Sequence, residues 1–338
     1  MNDLAYDDDA APLALSVVIP VYNEQEGLPA LFERLYPALD ALGISYEILF
    51  VNDGSRDRSA AVLKDQFLAR PDVTRVVLFN ANYGQHMAIV AGFENSRGSR
   101  VVTLDADLQN PPEEIAKLLA AIDHGHDYVG SIRLSREDSW WRRWASKAMN
   151  RIRERITRIK MTDQGCMLRA YSGDIVQTIA SAREVSTFIP ALGYMFAHNP
   201  TEVEVAHAER VAGDSKYSLY KLIRLNFDLI TGFSLVPLQL FSMFGMLVSV
   251  VALITYFVVI VERLVLSGWR EGLATLWDRD ILAFFLIGMM LFGVGLIGEY
   301  VGRIYQQVRD RPRFTIQAVL ERPEPAPEAS VRPGDSLR

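Results

Sequence analysis

Val101-Val-Thr-Leu-Asp-Ala-Asp-Leu-Gln-Asn-Pro-Pro-Glu-Glu114 is the stretch on which the fold turns. Its first four residues form a short apolar run, the pattern of a strand covered on both faces. The run passes directly into Asp105-Ala-Asp107. Strand side chains alternate with period two, so the two carboxylates leave the strand end on the same side. Pro111 and Pro112 then open a helix, and Glu113 and Glu114 occupy its first turn, where the N-terminal dipole favours acids. Paired carboxylates on a strand-to-helix loop make a hard oxygen site, suited to Mg2+ or Mn2+ and to the phosphates such ions bridge. A bare Asp-x-Asp is more often two solvated loop aspartates, so its surroundings must decide.

Outward from this stretch the same unit recurs. Residues 15–20 read as a strand ending at Pro20, followed by Val-Tyr-Asn-Glu24 and a helix over 26–42. Residues 47–53 read as the next strand, with Gly54-Ser55 as its turn and a helix reaching to about Ala69. A third strand covers 75–80 and a third helix 85–95, and a fifth strand covers 127–133. Strands alternating with helices at this spacing predict βαβ units and a mainly parallel sheet, an α/β fold. Ligands of such sheets bind beyond the carboxyl ends of the strands. Those ends carry Asn23 and Glu24, Asn52 and Asp53, Asn80 and Asn82, Asp105 and Asp107, and Arg133. No Gly-x-Gly-x-x-Gly or Gly-x-x-x-x-Gly-Lys follows a strand, so the dinucleotide and P-loop readings lose their main support. A further strand is expected over 202–207.

The chain has 338 residues, half of them hydrophobic and 22% charged, which excludes a disordered protein. A formal net charge of -6 argues against a nucleic-acid partner. The single cysteine, Cys166, excludes an intramolecular disulfide and reads as a buried, inert thiol. Residues 1–14 read as a disordered leader, and the Pro- and Glu-rich end from Arg322 onward reads the same way.

Two apolar runs follow the sheet-forming part. No charged residue lies between Asp228 and Glu262, and 238–261 is nearly all apolar. Residues 281–298 form a second uncharged run, about 27 Å long as a helix. Both read as transmembrane helices in preference to buried core helices. Lys216, Lys221 and Arg224 precede the first span, and Arg303, Arg309, Arg311 and Arg313 follow the second. This bias places both termini in the cytoplasm and the short linking loop on the far side of the membrane. Residues 139–160 predict a basic amphipathic helix bearing Trp, suited to an anionic membrane surface, with a solvated helix on the sheet as the alternative. Residues 219–233 predict a second, interfacial helix capped by Ser218. Lys216, just before it, is either a solvated loop lysine or a cation reaching back to the sheet edge.

Five motifs together resemble the family 2 glycosyltransferases of GT-A fold that charge polyprenyl phosphates: Val-Ile-Pro-Val-Tyr-Asn-Glu24, Asn-Asp-Gly-Ser55, Asp-Ala-Asp-Leu-Gln-Asn-Pro-Pro-Glu113, Ser-Lys-Tyr-Ser218 and Gly-Glu-Tyr-Val-Gly-Arg-Ile-Tyr305. The likeness spans about residues 15–314. Asn82-Tyr-Gly-Gln-His86, Gly165-Cys-Met-Leu-Arg-Ala-Tyr171 and Ser186-Thr-Phe-Ile-Pro190 are most similar to members serving lipid A modification and polymyxin resistance. Two positions depart from the family pattern: Asn52 stands where Asp is expected, and Gln164 where Tyr is expected. The resemblance implies a UDP-sugar donor, an undecaprenyl (polyprenyl) phosphate acceptor held in the lipid bilayer, a divalent metal, and in-line displacement with inversion at the anomeric carbon. It leaves open whether copies of the chain associate into a homo-oligomer.

It also implies roles. Asp107 is the direct metal ligand, and Asp105 contacts the metal or the ribose. Asp53, Glu24 and Pro20 form the uracil and ribose pocket, with Tyr22 and Gln109 beside it. A lipid phosphate is already ionised at neutral pH, so cations that hold two anions together matter more than a general base. Arg133 and Lys147 are the candidates for the acceptor phosphate, Arg210 and Lys216 for the diphosphate. The implied organisation is a leader over 1–14, a GT-A domain over 15–218, an interfacial helix over 219–234, two spans within 235–302 and a cytoplasmic tail over 303–338. A polyprenyl-phosphate glucosyl- or mannosyltransferase would share this chemistry. A non-catalytic membrane scaffold of the same fold is opposed by intact Asp105, Asp107, Arg133 and Lys216.

Overall fold

The computed structural model describes residues 13–133, 161–163, 165–182, 188–206, 236–265, 274–308 and 312–322. The expected basic helix at 139–160 with Lys147, the loop with Arg210 and Lys216, the interfacial helix at 219–233, the periplasmic loop and the chain end lie outside the described residues.

Five strands and four helices alternate as the sequence predicts: β1 (Leu15–Val21), α1 (Leu28–Asp40), β2 (Tyr46–Asn52), α2 (Ser59–Ala69), β3 (Thr74–Phe79), α3 (Gln85–Asn95), β4 (Arg100–Thr103), a 3-10 turn (Pro112–Glu114) running into α4 (Ile115–Asp123), and β5 (Tyr128–Arg133). There follow β6 (Arg169–Ser172), α5 (Gly173–Ser181), α6 (Ile189–Phe196), β7 (Pro200–Val205), α7 (Val236–Val265), α8 (Ala274–Val308) and β8 (Ile316–Leu320). The eight strands form one sheet in the order β7-β5-β6-β4-β1-β2-β3-β8.

β2 is buried along its whole length and β1 at all but one position, because helices cover both faces. One apolar cluster joins the sheet to α1 and α4 through Leu31, Leu35, Phe50 and Leu118. The other joins it to α3, α5 and α6 through Val18, Val90, Ile175 and Leu192. Gly92 sets how closely α3 lies on β1: a Cβ there would stand 2.2 Å from Val18 Cγ1.

The sheet is mixed but mainly parallel, as expected, with two strands reversed. β4-β1-β2-β3 is parallel, and β5 pairs parallel with β7. β6 enters antiparallel between β4 and β5, and β8 pairs antiparallel with β3. β6 opens on the fully buried Arg169, a charge that breaks the apolar pattern by which a central strand is read. Ile316–Leu320 alternates as a half-buried edge strand does. It therefore belongs to the sheet and not to a separate tail. Glu321 fixes its end, accepting from Arg75 at 2.8 Å and from Arg97 at 3.0 Å, and Arg75 in turn meets the buried Glu47 at 2.8 Å. Phe314, at the start of this return, stacks on Phe79 at 5.0 Å. The ordered sheet also begins earlier than the leader boundary implies: Ala14 N donates to Ser45 O, and Leu13 O accepts from Ser99 N.

α7 and α8 contain the two apolar runs and touch where Phe241 packs over Gly293 and against Phe292. Among residues whose side chains are described, no helical stretch is both long and apolar enough to cross a membrane.

Candidate active site

β4 ends at Thr103, but the alternation of its side chains continues through the following turn. Leu104, Ala106, Leu108 and Asn110 are buried, while Asp105, Asp107 and Gln109 between them are half-buried. The two carboxylates and the Gln109 carboxamide are thus the accessible side chains of this turn. Leu108 holds φ at 58°, a left-handed backbone that a leucine adopts only when its surroundings enforce it. Its side chain lies in the core, and Gln109 N donates to Asp107 Oδ1 at 3.1 Å across the bend. Beneath the turn, Asn110 Oδ1 accepts from Cys166 Sγ at 3.3 Å, and Cys166 Sγ meets Ser131 Oγ at 2.8 Å. Burial pushes the Cys166 thiol pKa up, which keeps it protonated and unreactive. The carboxylate turn is therefore tied to β5 and to the approach to β6.

Asp53, at the end of β2, is 2% exposed. Its carboxylate accepts from Tyr83 N at 2.6 Å, Gly84 N at 2.9 Å and Asn82 Nδ2 at 2.9 Å. Burial raises its pKa, and the two backbone N–H bonds pull the other way. Asp53 is thus engaged in fixing the entry to α3. Gly54 makes this possible: with φ of 62°, any Cβ would stand 2.3 Å from Ala81 C. Glu24 opens the turn before α1, its backbone N–H donating to Ser59 Oγ at 2.9 Å. A Cβ on Gly27 would lie 3.5 Å from Glu24 Oε2 and 3.9 Å from Ala106 O, so both groups border Gly27. Pro20 is half-buried within β1, and Tyr22 is 42% exposed just past its end.

Gln85, the first residue of α3, carries the edge further. Its Nε2 donates to Asp105 Oδ1 at 2.6 Å. The next residue, His86, sets its ring against Phe188 at 5.4 Å. Arg133, at the end of β5, forms a bidentate pair with Asp163, 2.5 Å from Nε and 2.9 Å from the terminal nitrogen. Arg169 buttresses that pair, donating to Asp163 O at 2.6 Å, Cys166 O at 2.9 Å and the Tyr128 hydroxyl. Of the site residues expected from sequence, the structure thus gathers Glu24, Asp53, Asp105, Asp107, Gln109 and Arg133 on the carboxyl edge of one sheet. Asp163, Arg169, Gln85 and His86 join them. Gln85 and His86 stand in the motif Asn82-Tyr-Gly-Gln-His86 without an expected role, and the strand-end rule also points to them, because both follow β3.

No cluster of three or more His, Cys, Asp or Glu side chains stands ready to hold a metal among the described residues. Two accessible carboxylates on one turn still fit Mg2+ or Mn2+, which keep most of their coordination sphere for substrate phosphates and water.

A mixed α/β sheet with paired carboxylates beyond its central strands is a scaffold on which glycosyl transfer can be built. The chain belongs to glycosyl transferase family 2, whose family model matches residues 16–180. It is 48% identical over 316 residues, 93% of this chain and 96% of the relative, to the undecaprenyl-phosphate 4-deoxy-4-formamido-L-arabinose transferase of Edwardsiella ictaluri. It is 47% identical over 320 residues, 94% of this chain and 97% of the relative, to the protein of that name from Klebsiella pneumoniae. The counterpart in Pseudomonas aeruginosa is 48% identical over 325 residues, 95% of this chain and 94% of the relative. Among solved structures, glucosyl-3-phosphoglycerate synthase from Mycobacterium tuberculosis in complex with Mn2+, UDP and glucosyl-3-phosphoglycerate is similar at a TM-score of 0.44 and 16% identity, over 65% of this chain and 78% of that one.

Proposed function

We propose that this glycosyltransferase moves 4-deoxy-4-formamido-L-arabinose from a UDP-sugar to undecaprenyl phosphate, with inversion, at the cytoplasmic face of a bacterial inner membrane. The observation that carries the reading is the extent of the likeness. Identity of 47–48% covers nearly the whole of each relative, including both long helices, and is not confined to the nucleotide-sugar domain. The place of the product in lipid A modification belongs to the same reading.

The site supports it. Asp105 and Asp107 would hold the divalent metal, which when bound neutralises the departing diphosphate. Glu24, Pro20 and Tyr22 line the side where a uridine would rest, and Asp53 holds the Tyr83-Gly84 backbone facing it. The acceptor brings its own negative charge. What this chain must supply is cations and closeness to the bilayer, for which Lys147, Arg210 and Lys216 are the candidates.

The two long helices support membrane residence. α7 has 30 residues and α8 has 35, about 45 and 52 Å of helix, against a hydrocarbon core of about 30 Å. Leu240, Met243, Met246, Leu247, Met290, Leu291 and Phe292 are exposed on them, an arrangement water penalises and lipid does not.

The test is a panel of UDP-sugars offered to purified protein with undecaprenyl phosphate and Mg2+ or Mn2+, the lipid product being weighed by mass spectrometry. Transfer of the formamido-arabinose unit is expected. Transfer of glucose or mannose alone would replace the sugar assignment, and no transfer of any sugar would overturn the enzyme reading.

A further inference from the structure

Three buried side-chain atoms lack a hydrogen-bond partner among the described residues: Asn52 Oδ1, Tyr171 Oη and His86 Nδ1. Tyr171 is wholly enclosed, its ring between Phe93 and Tyr128. Asn52 is 4% exposed. His86 differs: the residue as a whole is only half-buried, while its Nδ1 is shielded from water. Leaving a buried polar atom unpaired costs about 1–3 kcal/mol. Such a cost in an otherwise well-satisfied fold points to a partner that arrives with the substrate.

The location supports that. His86 is the second residue of α3, and Gln85 before it already touches Asp105 Oδ1 at 2.6 Å. Asp53 pins the preceding Tyr83 and Gly84 amides, so the helix start is fixed relative to the carboxylates. One turn of helix thus carries a side chain on the presumed metal carboxylate and, next to it, an unpartnered imidazole against the Phe188 ring, 5.4 Å away and inclined at 73°. The group bonded to a metal-held diphosphate is the sugar. An aromatic wall with one convergent polar atom is how a pocket orients a small polar ligand.

We propose that His86 and Phe188 form the sugar-reading wall of the donor site, with His86 Nδ1 accepting a hydrogen bond from an uncharged polar substituent of the sugar. The imidazole is then the Nε2–H tautomer. Burial alone lowers the His86 pKa to about 4, with no carboxylate acting against it. The desolvation that keeps a proton off this ring penalises an ammonium group placed against it in the same way. The wall therefore selects a sugar bearing an amide or hydroxyl over one bearing a protonated amine. This inference rests on the proposed function, whose formamido group belongs to the favoured class.

The experiment uses the full chain in lipid nanodiscs with undecaprenyl phosphate. It compares kcat/KM for UDP-4-deoxy-4-formamido-L-arabinose and its 4-amino analogue in the wild type, His86→Leu and His86→Gln. UDP affinity is measured in parallel with Mn2+ present. His86→Leu is expected to lower kcat/KM for the formamido donor about 10- to 100-fold and to shrink its advantage over the amino donor, with UDP affinity unchanged. His86→Gln, which restores a carbonyl acceptor, is expected to recover part of the loss. An unchanged preference in His86→Leu overturns the proposal. So does a loss of UDP affinity matching the loss of transfer, which would assign His86 to the nucleotide or to the fold. Wild-type protein that ignores the formamido donor and transfers another sugar overturns the proposed function instead. The same comparison on that sugar and its amino analogue then decides the role of His86.

Discussion

Arg133 and Asp163 face each other across the two ends of the segment 134–160 and close it with a bidentate ion pair, Nε to Oδ2 at 2.5 Å. The neighbouring carboxylate raises the Arg133 pKa further, against burial. Asp163 Oδ1 also accepts from Gly165 N at 3.0 Å, and Arg169 holds the Asp163 carbonyl from within the core. The described residues on either side of 134–160 are therefore held together, and the guanidinium expected to meet the acceptor phosphate is already matched by an acid.

This arrangement separates two roles for Arg133. As a clamp, Arg133→Ala and Asp163→Ala should weaken transfer alike, and the double variant should be little worse than either, the signature of two residues acting as one unit. Each single variant leaves a half-buried charge unmatched and should cost about 1–3 kcal/mol of stability. As a phosphate ligand, Arg133→Ala alone should raise the KM for lipid phosphate more than that for the UDP-sugar. Steady-state kinetics with both substrates varied, with thermal unfolding alongside, decides between them.

Asp107→Asn should reduce transfer by more than about 100-fold while the protein stays folded and membrane-bound, because a hard cation loses a charged ligand. Chelation of the wild type should reproduce the loss, and added Mg2+ or Mn2+ should reverse it. Near-normal turnover of purified Asp107→Asn would remove the carboxylate from any metal role.

The His86 imidazole also gives stability a pH dependence of known sign. Its folded pKa, about 4, lies below the ordinary 6.5. The unfolded chain therefore binds the proton first as pH falls. Stability is fully present above 6.5 and declines between 6.5 and 4, by at most about 3 kcal/mol. In His86→Asn that part of the decline should vanish. Melting temperatures of the two proteins, compared from pH 7 to 4, should converge towards the acid end; parallel curves would show that the ring is solvated.

The returning strand yields a further expectation. Ending the chain at Arg313 removes β8, the Phe314–Phe79 stack and the Glu321 contacts of Arg75 and Arg97. It bares the β3 edge and leaves Arg75, 8% exposed, with Glu47 and the Asn95 carbonyl. The melting temperature should drop and aggregation should rise, as for any uncovered hydrophobic edge. Glu321→Gln should cost only about 1 kcal/mol, since Glu321 is partly solvated.

What could be read in the sequence divides along physical lines. β1 to β5 and their helices are legible because each is a local pattern: an apolar run of strand length, a turn residue, an amphipathic stretch. The strand-end rule then gathers Glu24, Asp53, Asp105, Asp107 and Arg133 without any knowledge of tertiary contacts. β6 is hidden because Arg169, wholly buried, is satisfied by the Tyr128 hydroxyl and by carbonyls of the preceding loop, partners no local pattern names. β8 is hidden because its partner β3 lies far back in the chain, beyond two apolar helices. The engagement of Asp53 with Asn82, Tyr83 and Gly84 is likewise a tertiary fact.

The membrane arrangement carries the last prediction, because the proposed reaction depends on it. Undecaprenyl phosphate keeps its tail in the bilayer and its charged head at the surface, while a UDP-sugar is soluble. The carboxylate edge must therefore lie on the donor's side, close to the headgroups. The chain offers a basic Trp-bearing segment at 139–160, an amphipathic stretch at 219–233, and two long helices joined by a short connection. After the second helix the chain returns to the sheet as β8, and two spanning helices would put both ends of the pair on one side of the bilayer. A reporter fused after Arg338 should read cytoplasmic, and one inserted near Gly272 should read periplasmic. Replacing Arg142, Arg143 and Arg151 together with Gln should slow transfer without unfolding the protein, since each cation near anionic lipid contributes about 1 kcal/mol. The slowing should be strongest in vesicles rich in anionic lipid and should fade in neutral ones. A periplasmic reading at Arg338 would put the carboxylates and the soluble donor on opposite sides of the bilayer, and transfer from a cytosolic UDP-sugar could not then occur.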